Sequence, residues 1–211
     1  MSEFETHDVK RLIVSKPADL QFQPGQGVAL AIDREGWRDN SHPFTPTSHT
    51  DDEVLEFLIK RYPGHDNVTT RLHGLRAGDG LLVSEPFGQL TYRGPGVFIA
   101  GGAGVTPFIA ILRQLARQDA LAEQMLICSH KTPDDVICER ELRNALGARC
   151  IVTCSRGSGR GYEKRRIDRE FLGEKISDFG SFFYVCGPPA FEKDIRGYLA
   201  ELGVDSQRIV R

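Results

Sequence analysis

The stretch FIAGGAGVTPFIAILRQL, residues 98–115, decides the fold of the second half of the chain. An apolar run leads into three closely spaced glycines, and a Thr-Pro pair then precedes an amphipathic segment. Its apolar side chains recur at i, i+3, i+4 and i+7, which places Phe108, Ile111, Leu112 and Leu115 on one face of a helix. The stretch therefore predicts a buried strand, a glycine turn and a helix.

The same alternation continues to the end of the chain. The apolar runs VFIA, MLICS, CIVTCS and FFYVC are separated by amphipathic segments from residue 97 onward. A last helical face is formed by Phe191, Ile195, Leu199 and Leu202, and Gly203 is placed to end that helix. Buried strands that alternate with helices predict an α/β domain, with a parallel sheet and helices on both faces.

The first half of the chain has a different period. Short β-rich runs are separated by the turn sequences PGQG, DREGW, YPGHDN and RAGDG. The predicted strands are Val9–Val14, Val28–Ile32, Val54–Lys60 and Gly80–Val83, with one helix over Val68–Leu75. This spacing predicts a small antiparallel β-barrel. The texture changes at RGPG (93–96), so we expect one domain over residues 1–93 and a second over 94–211.

Composition excludes several classes of function. The 211 residues carry a formal net charge of −2, which is not the electrostatic footprint of a nucleic-acid-binding protein. The N-terminus lacks the apolar core of a secretory signal, and the longest apolar run is too short to span a bilayer. None of the five cysteines forms a C-x-x-C pair, so neither a metal site nor an iron–sulfur cluster is expected. These features predict a cytoplasmic protein with reduced, mostly buried thiols.

The glycine turn has the chemistry of an anion site. Thr106 is predicted as the N-cap of the helix, and Pro107 suits the first helical position, where its missing N–H is not needed. The free N–H groups of that helix end attract phosphate. A side chain at Gly101 or Gly104 would obstruct a pyrophosphate, whereas Gly102 completes the turn. The alternative is a tight strand–helix turn that holds no ligand.

A second glycine turn follows the last predicted strand. The sequence FFYVCGPPAF places Cys186, Gly187 and Pro188 at the carboxyl end of that strand. Ligands of open α/β sheets bind outside the carboxyl ends of the strands. One extended ligand would explain both turns.

The motifs GGAGVTP and CGPP, in this order, closely resemble those of the ferredoxin–NADP reductase family of flavoenzymes. HPFTPTS (42–48), PGQ (24–26) and LIKRY (58–62) also lie where that family has its flavin motifs, so the resemblance covers nearly the whole chain. It implies that the glycine turn binds the pyrophosphate of the nicotinamide nucleotide. It also implies FAD as the cofactor, with FMN less favoured.

The resemblance assigns flavin-binding residues to the first domain. By match, His42 takes the place of an arginine that binds phosphate, Phe44 packs against the isoalloxazine, and Thr45 brings a hydroxyl to its N5 atom. The other matched positions are Pro43, Ile59, Lys60, Arg61, Val68 and Thr69. Three features depart from the family pattern.

The first departure is His42, which cannot make the bidentate contact of arginine and could be an ordinary loop histidine. The second is Asp66, which stands where the family has glycine, beside the expected flavin phosphates. Lys60 and Arg61 could compensate for that charge, or could be solvated strand ends. The third is that only MSEFE precedes the THDV segment, which predicts an incomplete or unusual barrel.

The resemblance also assigns the nucleotide's two ends. Cys186 would lie beside the nicotinamide, and Ser155 and Arg156 would bind the 2′-phosphate of NADPH. Arg165 supplies a further cation, with Arg160, Tyr162 and Lys164 as other candidates. Physically, a 2′-phosphate favours arginine and a bare 2′-hydroxyl favours a carboxylate, and no acid stands at the end of either neighbouring strand. NADH remains open as the nucleotide, and the basic loop could be a solvated surface.

These assignments imply a flavoenzyme that moves a hydride from NADPH to FAD and then electrons to a carrier protein. The carrier would be a ferredoxin, a flavodoxin or a haem domain, and Thr45 and Cys186 would lie around the reacting atoms. The alternative is a non-catalytic or regulatory reductase-like subunit that binds nucleotide or flavin without turnover.

Overall fold

A computed structural model describes residues 2–62, 67–157 and 159–211. In these ranges the first half contains six strands and one short helix. They are β1 (Ser2–Phe4), β2 (Val9–Ser15), β3 (Val28–Ile32), β4 (His42–Phe44), β5 (Val54–Lys60), α1 (Val68–His73) and β6 (Leu81–Val83). The second half contains β7 (Gly96–Gly101), α2 (Thr106–Arg117), β8 (Met125–His130), α3 (Glu139–Leu146), β9 (Cys150–Cys154), α4 (Arg169–Lys175), β10 (Phe182–Cys186), α5 (Pro189–Glu201) and β11 (Ile209–Val210).

The first half folds into two antiparallel sheets of three strands each, in the orders β1-β2-β5 and β4-β3-β6. Their apolar faces enclose a common core in which Leu30, Leu55 and Phe57 are fully buried. Hydrogen bonds just beyond β4 connect the two sheets, because the Thr47 amide donates to the Glu56 carbonyl of β5 at 2.7 Å. The predicted small antiparallel β domain is confirmed.

The second half is built on one parallel sheet of five strands, in the order β11-β10-β7-β8-β9. Apolar side chains of α2 and α3 cover one face, and those of α4 and α5 cover the other. The predicted parallel α/β domain with helices on both faces is therefore confirmed. In the described residues, none of the helices combines the length and apolar character needed to cross a bilayer.

Short edge strands are what the sequence analysis missed. The three residues of β1 pair with β2, so the short segment before THDV does supply a strand and the expected gap in the β domain is not found. Strands β4 and β11 are also short and carry no alternating pattern. Gly203 has a φ of +86°, the left-handed conformation expected of a residue that ends a helix.

Candidate active site

The two glycine turns pack directly on each other at the carboxyl edge of the sheet. Strands β7 and β10 are neighbours, with Cys186 opposite Ala100. A Cβ atom placed on Gly104 would lie 2.3 Å from the carbonyl oxygen of Cys186 and 2.7 Å from the amide nitrogen of Gly187. A Cβ on Gly187 would in turn lie 3.2 Å from the backbone of Gly101. The turns thus form one continuous backbone surface.

This packing corrects the reason for two of the glycines. Gly104 has to be glycine because backbone of the other turn fills the space, and a Cβ on Gly101 would approach the Phe191 ring to 2.9 Å. Gly102 is different: its φ is +55°, and no atom lies within 4 Å of the position a Cβ would take. Gly102 is therefore the glycine that borders open space, and that space fits the close approach of a phosphate group.

The prediction that Thr106 caps the helix is wrong. A 3₁₀ turn over Gly102–Val105 runs directly into α2, so Thr106 already has helical backbone angles. Its hydroxyl donates to the carbonyl of Ala103 at 3.0 Å and does not accept from the backbone. Pro107 is one of the first two residues of the helix, as expected, but its ring is buried. The first free N–H groups belong to the glycine turn itself, which brings the positive end of the helix to Gly102.

The Cys186 thiol is held as a neutral, half-buried group. Burial raises the pKa of Cys186 to about 12, and the nearby carboxylate of Glu192 contributes to the rise. Glu192 also accepts a hydrogen bond from the Gly187 amide at 3.0 Å, which fixes the turn after β10. Pro188, which follows, is exposed. At neutral pH Cys186 can pack against a ligand, but its thiol is not activated as a nucleophile.

The segment HPFTPTS runs from exposed to buried along its length. His42 and Pro43 are exposed in β4, and Phe44 and Thr45 are half-buried. The Thr45 hydroxyl has no hydrogen-bond partner among the described residues, so it is free for a ligand. An exposed imidazole, an aromatic ring and a free hydroxyl suit the phosphate, ring and N5 contacts of a flavin.

The other positions matched to flavin contacts differ in what they can offer. Ile59 and Val68 are buried in the core of the β domain, so only their main-chain atoms remain for a ligand. Thr69 lies in the first turn of α1, where its hydroxyl donates to the Asn67 side chain at 2.8 Å. Arg61 is exposed. The departure at Asp66 lies outside the described residues.

Lys60 is occupied by carboxylates of both domains. Its ammonium group lies 2.7 Å from Asp8 and 3.7 Å from Asp135 of the second domain. His7, Asp8 and Asp135 together have the ligand atoms of a metal site, but the Lys60 ammonium already supplies a positive charge to both carboxylates. Lys60 therefore contributes less free charge to a flavin phosphate than the sequence implied.

The basic loop after β9 offers two free groups. Ser155 and Arg156 are exposed at the carboxyl end of the strand, and their amides donate to the carbonyls of His130 and Lys131. The Arg156 guanidinium has no hydrogen bond or ion pair with another residue in the described parts of the chain. The prepared position and free charge suit a 2′-phosphate.

Two other candidates in this loop are engaged elsewhere. Arg165 pairs with Glu174 at 3.0 Å and Asp168 at 3.2 Å, and it lies over the Phe171 ring. Tyr162 donates to Glu139 at 2.7 Å. The arrangement gives both side chains structural contacts within the second domain.

The residues that sequence reasoning missed lie on the seam between the domains. Arg113 of α2 donates to the Thr47 carbonyl and to Glu56, each at 2.7 Å, and makes a bidentate pair with Glu141. An isolated arginine in a helix carries no motif, so no pattern in the sequence indicated it. A groove of about 470 Å³ opens beside Arg113 on this seam, away from the two glycine turns.

Comparison with known proteins matches both halves of the chain. Residues 2–92 match the family model of the oxidoreductase FAD-binding domain, and residues 98–197 match that of the oxidoreductase NAD-binding domain. The chain belongs to the ferredoxin–NADP reductase-like superfamily, and it is an oxidoreductase with an FAD-binding domain followed by an NAD-binding domain.

Individual relatives agree with this membership. The chain is 28% identical over 239 residues to NADH-cytochrome b5 reductase 2 of Scheffersomyces stipitis, covering 98% of this chain and 79% of that protein. It is 26% identical over 212 residues to the ferredoxin–NAD(P)⁺ reductase component of the naphthalene 1,2-dioxygenase/salicylate 5-hydroxylase systems of a Ralstonia species, covering 94% of this chain but only 62% of that protein. The FAD/NAD-binding domain of nitric oxide dioxygenase from Vibrio cholerae superposes with a TM-score of 0.89 at 25% identity, covering 100% of this chain and 94% of that one.

Proposed function

We propose that this protein is a reductase that takes a hydride from NADPH and delivers electrons to a separate carrier. Residues 1–93 would hold FAD and residues 94–211 the nucleotide. The observation that carries the proposal is the packing of Gly104 on Cys186 and Gly187, because it joins the phosphate-binding turn and the nicotinamide-side turn into one surface. The relatives include reductases for cytochrome b5 and for a dioxygenase system.

Each group of residues has a defined part in this proposal. Gly102 and the start of α2 receive the pyrophosphate, and Ser155 and Arg156 receive the 2′-phosphate. The neutral Cys186 side chain packs beside the nicotinamide and sets its position. Thr45 offers its hydroxyl to the flavin. Flavin, when bound, accepts hydride from a nicotinamide and can release electrons onward.

The electron acceptor is proposed to lie outside these 211 residues. Four of the five cysteines are buried in the second domain, and the sequence lacks the cysteine spacing of an iron–sulfur cluster. The candidates are a ferredoxin, a flavodoxin or a haem protein. The cytoplasmic location that the sequence indicates stays a prediction.

An acceptor assay tests this function. The purified, FAD-loaded protein would be given NADPH or NADH together with ferricyanide, a ferredoxin, a flavodoxin or cytochrome b5. We expect rapid ferricyanide reduction with NADPH and a clear preference for one carrier. The Arg156→Ala variant is the control for the nucleotide, since it leaves the acceptor side unchanged. Failure of both nucleotides to reduce any acceptor would contradict the proposal.

The alternative, a non-catalytic nucleotide-binding or flavin-binding subunit, has one specific observation in its favour. His42 replaces the expected arginine and Lys60 is paired with Asp8, so two cations that would hold a flavin phosphate are weakened or occupied. A protein that cannot be loaded with FAD or FMN would support this alternative.

A further inference from the structure

A chain of alternating charges crosses the seam between the two domains. Glu5 pairs with Arg11 at 2.5 Å, Arg11 with Glu56 at 2.7 Å, Glu56 with Arg113 at 2.7 Å, and Arg113 with Glu141 at 2.6 Å. Arg113 and Glu141 belong to the second domain and the other three to the first. Arg11, Glu56 and Arg113 are each less than one fifth exposed, so solvent screens these pairs far less than surface ion pairs.

Arg113 contacts the backbone of the flavin motif as well as its charged partners. Its Nη1 atom donates to the carbonyl oxygen of Thr47, two residues after Thr45. Thr47 is fully buried, its amide donates to the Glu56 carbonyl, and its hydroxyl donates to the Glu56 carboxylate at 2.7 Å. The Ser48 hydroxyl accepts from the Glu56 amide at 3.1 Å. Every polar group of Thr47 is thus fixed by Arg113 or Glu56.

The helix that carries Arg113 also begins at the nucleotide turn. Arg113 lies seven residues after Thr106, about 10 Å along the axis of α2 at 1.5 Å per residue. The 3₁₀ turn that leads into this helix contains Gly104, which packs on Cys186. One rigid element therefore connects the backbone beside Thr45 to the backbone beside Cys186.

Burial and pairing keep both charges of this contact in place. Burial alone would lower the pKa of Arg113, but its hydrogen bonds to Glu141 and Glu56 outweigh that effect and raise the pKa. Burial would raise the pKa of Glu56, but Arg113, Thr47 and Arg11 outweigh it and lower the pKa. Both groups are ionised at neutral pH.

We infer that Arg113, together with Glu56, is a positioning residue that sets the distance between the flavin motif and the nicotinamide turn. The inference rests on the proposed function for the reaction that the positioning serves. It assigns to Arg113 no contact with flavin or nucleotide. Loss of Arg113 should release the segment around Thr47 and leave both ligand-binding surfaces intact.

The test compares Arg113→Met with Arg117→Met, a matched control one turn further along α2. Arg117 is 54% exposed and lies 3.7 Å from Asp52, so its loss removes a cation from the same helix without touching Thr47. Amide hydrogen exchange of residues 47–56 would be measured first, without ligands. We expect Arg113→Met to raise exchange in this segment by about tenfold, and Arg117→Met to leave it near the wild-type rate.

Binding and reduction would then be measured on the FAD-loaded proteins. Arg113→Met should slow flavin reduction at saturating NADPH by about ten- to hundredfold, because small errors in alignment are costly for hydride transfer. The dissociation constants of FAD and NADPH should change by less than about threefold, since no ligand contact is lost. Arg113→Lys should restore only part of the rate, because one ammonium group cannot reproduce the contacts of the guanidinium.

A double variant identifies the partner. If Arg113 and Glu56 act as one unit, Glu56→Gln combined with Arg113→Met should reduce the flavin no more slowly than Arg113→Met alone. Equal behaviour of Arg113→Met and Arg117→Met in exchange or in reduction rate would overturn the inference. So would parallel losses of rate and of both affinities, which indicate general unfolding. If neither nucleotide reduces the wild-type flavin, the proposed function and this inference both fail as statements about hydride transfer, whereas exchange at 47–56 still decides whether Arg113 fixes that segment.

Discussion

Replacement of Gly104 by alanine tests how the two glycine turns are built. The added Cβ would stand 2.3 Å from the carbonyl oxygen of Cys186, which is backbone and cannot rotate away. An ordinary contact is about 1 Å longer, so the turns have to separate by roughly that distance. Overpacking of this kind costs about 1–3 kcal/mol. For a chain of this size each kcal/mol lowers the Tm by about 2–4 °C, so we expect a drop of about 2–12 °C.

Two control variants separate packing from ligand contact. Gly102→Asn places a side chain in the open space beside the glycine turn, and asparagine tolerates positive φ. It should weaken nucleotide binding with little change in Tm. Gly36→Asn has the same backbone requirement, with a φ of +78° and open surroundings in the first domain, and should change neither property. Thermal unfolding and nucleotide titration would be run on all three proteins. A Gly104→Ala protein with native Tm and native nucleotide affinity would refute the packing between the turns.

Four further changes have defined outcomes. Arg156→Ala should lower catalytic efficiency with NADPH by about ten- to hundredfold, the value of a charge-assisted contact of about 1.5–3 kcal/mol, and leave NADH nearly unaffected; equal effects on both nucleotides would remove Arg156 from the 2′-phosphate site. Cys186→Ala should slow flavin reduction under single turnover more than it weakens nucleotide affinity, and an unchanged rate at saturation would contradict its place beside the nicotinamide. His42→Arg should tighten FAD binding, measured by titration, and an unchanged dissociation constant would make His42 an ordinary loop residue. Glu56 has a lowered pKa in the folded state, so its stabilisation is complete above its ordinary pKa of 4.5 and is lost as the pH falls through the folded value; Glu56→Gln should therefore be less stable than wild type at neutral pH, and denaturant titrations should find that this difference shrinks in acid.

The sequence predicted the larger elements because their periodicity is strong. The helical face of Phe108, Ile111, Leu112 and Leu115 lies in the core against the sheet, as expected. The pair of glycine turns was also found, because each follows a buried strand. Strand β4 escaped notice because its three residues include a proline and two exposed side chains, and its pairing with β3 depends on tertiary contact.

The reasons for individual residues were harder to predict than their importance. Gly104 was taken as space for a ligand, whereas the structure uses that space for the backbone of Cys186 and Gly187, a contact between segments about eighty residues apart. Arg165 belongs to a basic run, and sequence alone cannot reveal that Glu174 and Asp168 neutralise it. Arg113 and Glu56 carry no motif, and only the approach of the two domains makes them partners.

The central claim is that a nicotinamide held by the second domain passes hydride to a flavin held by the first. The most direct measurement is the visible spectrum of the FAD-loaded protein under anaerobic conditions, before and after one equivalent of NADPH. The account predicts the absorbance of bound flavin and its rapid bleaching on addition of the nucleotide. A protein that stays colourless after reconstitution with FAD or FMN would contradict the account, as would bound flavin whose spectrum neither NADPH nor NADH changes.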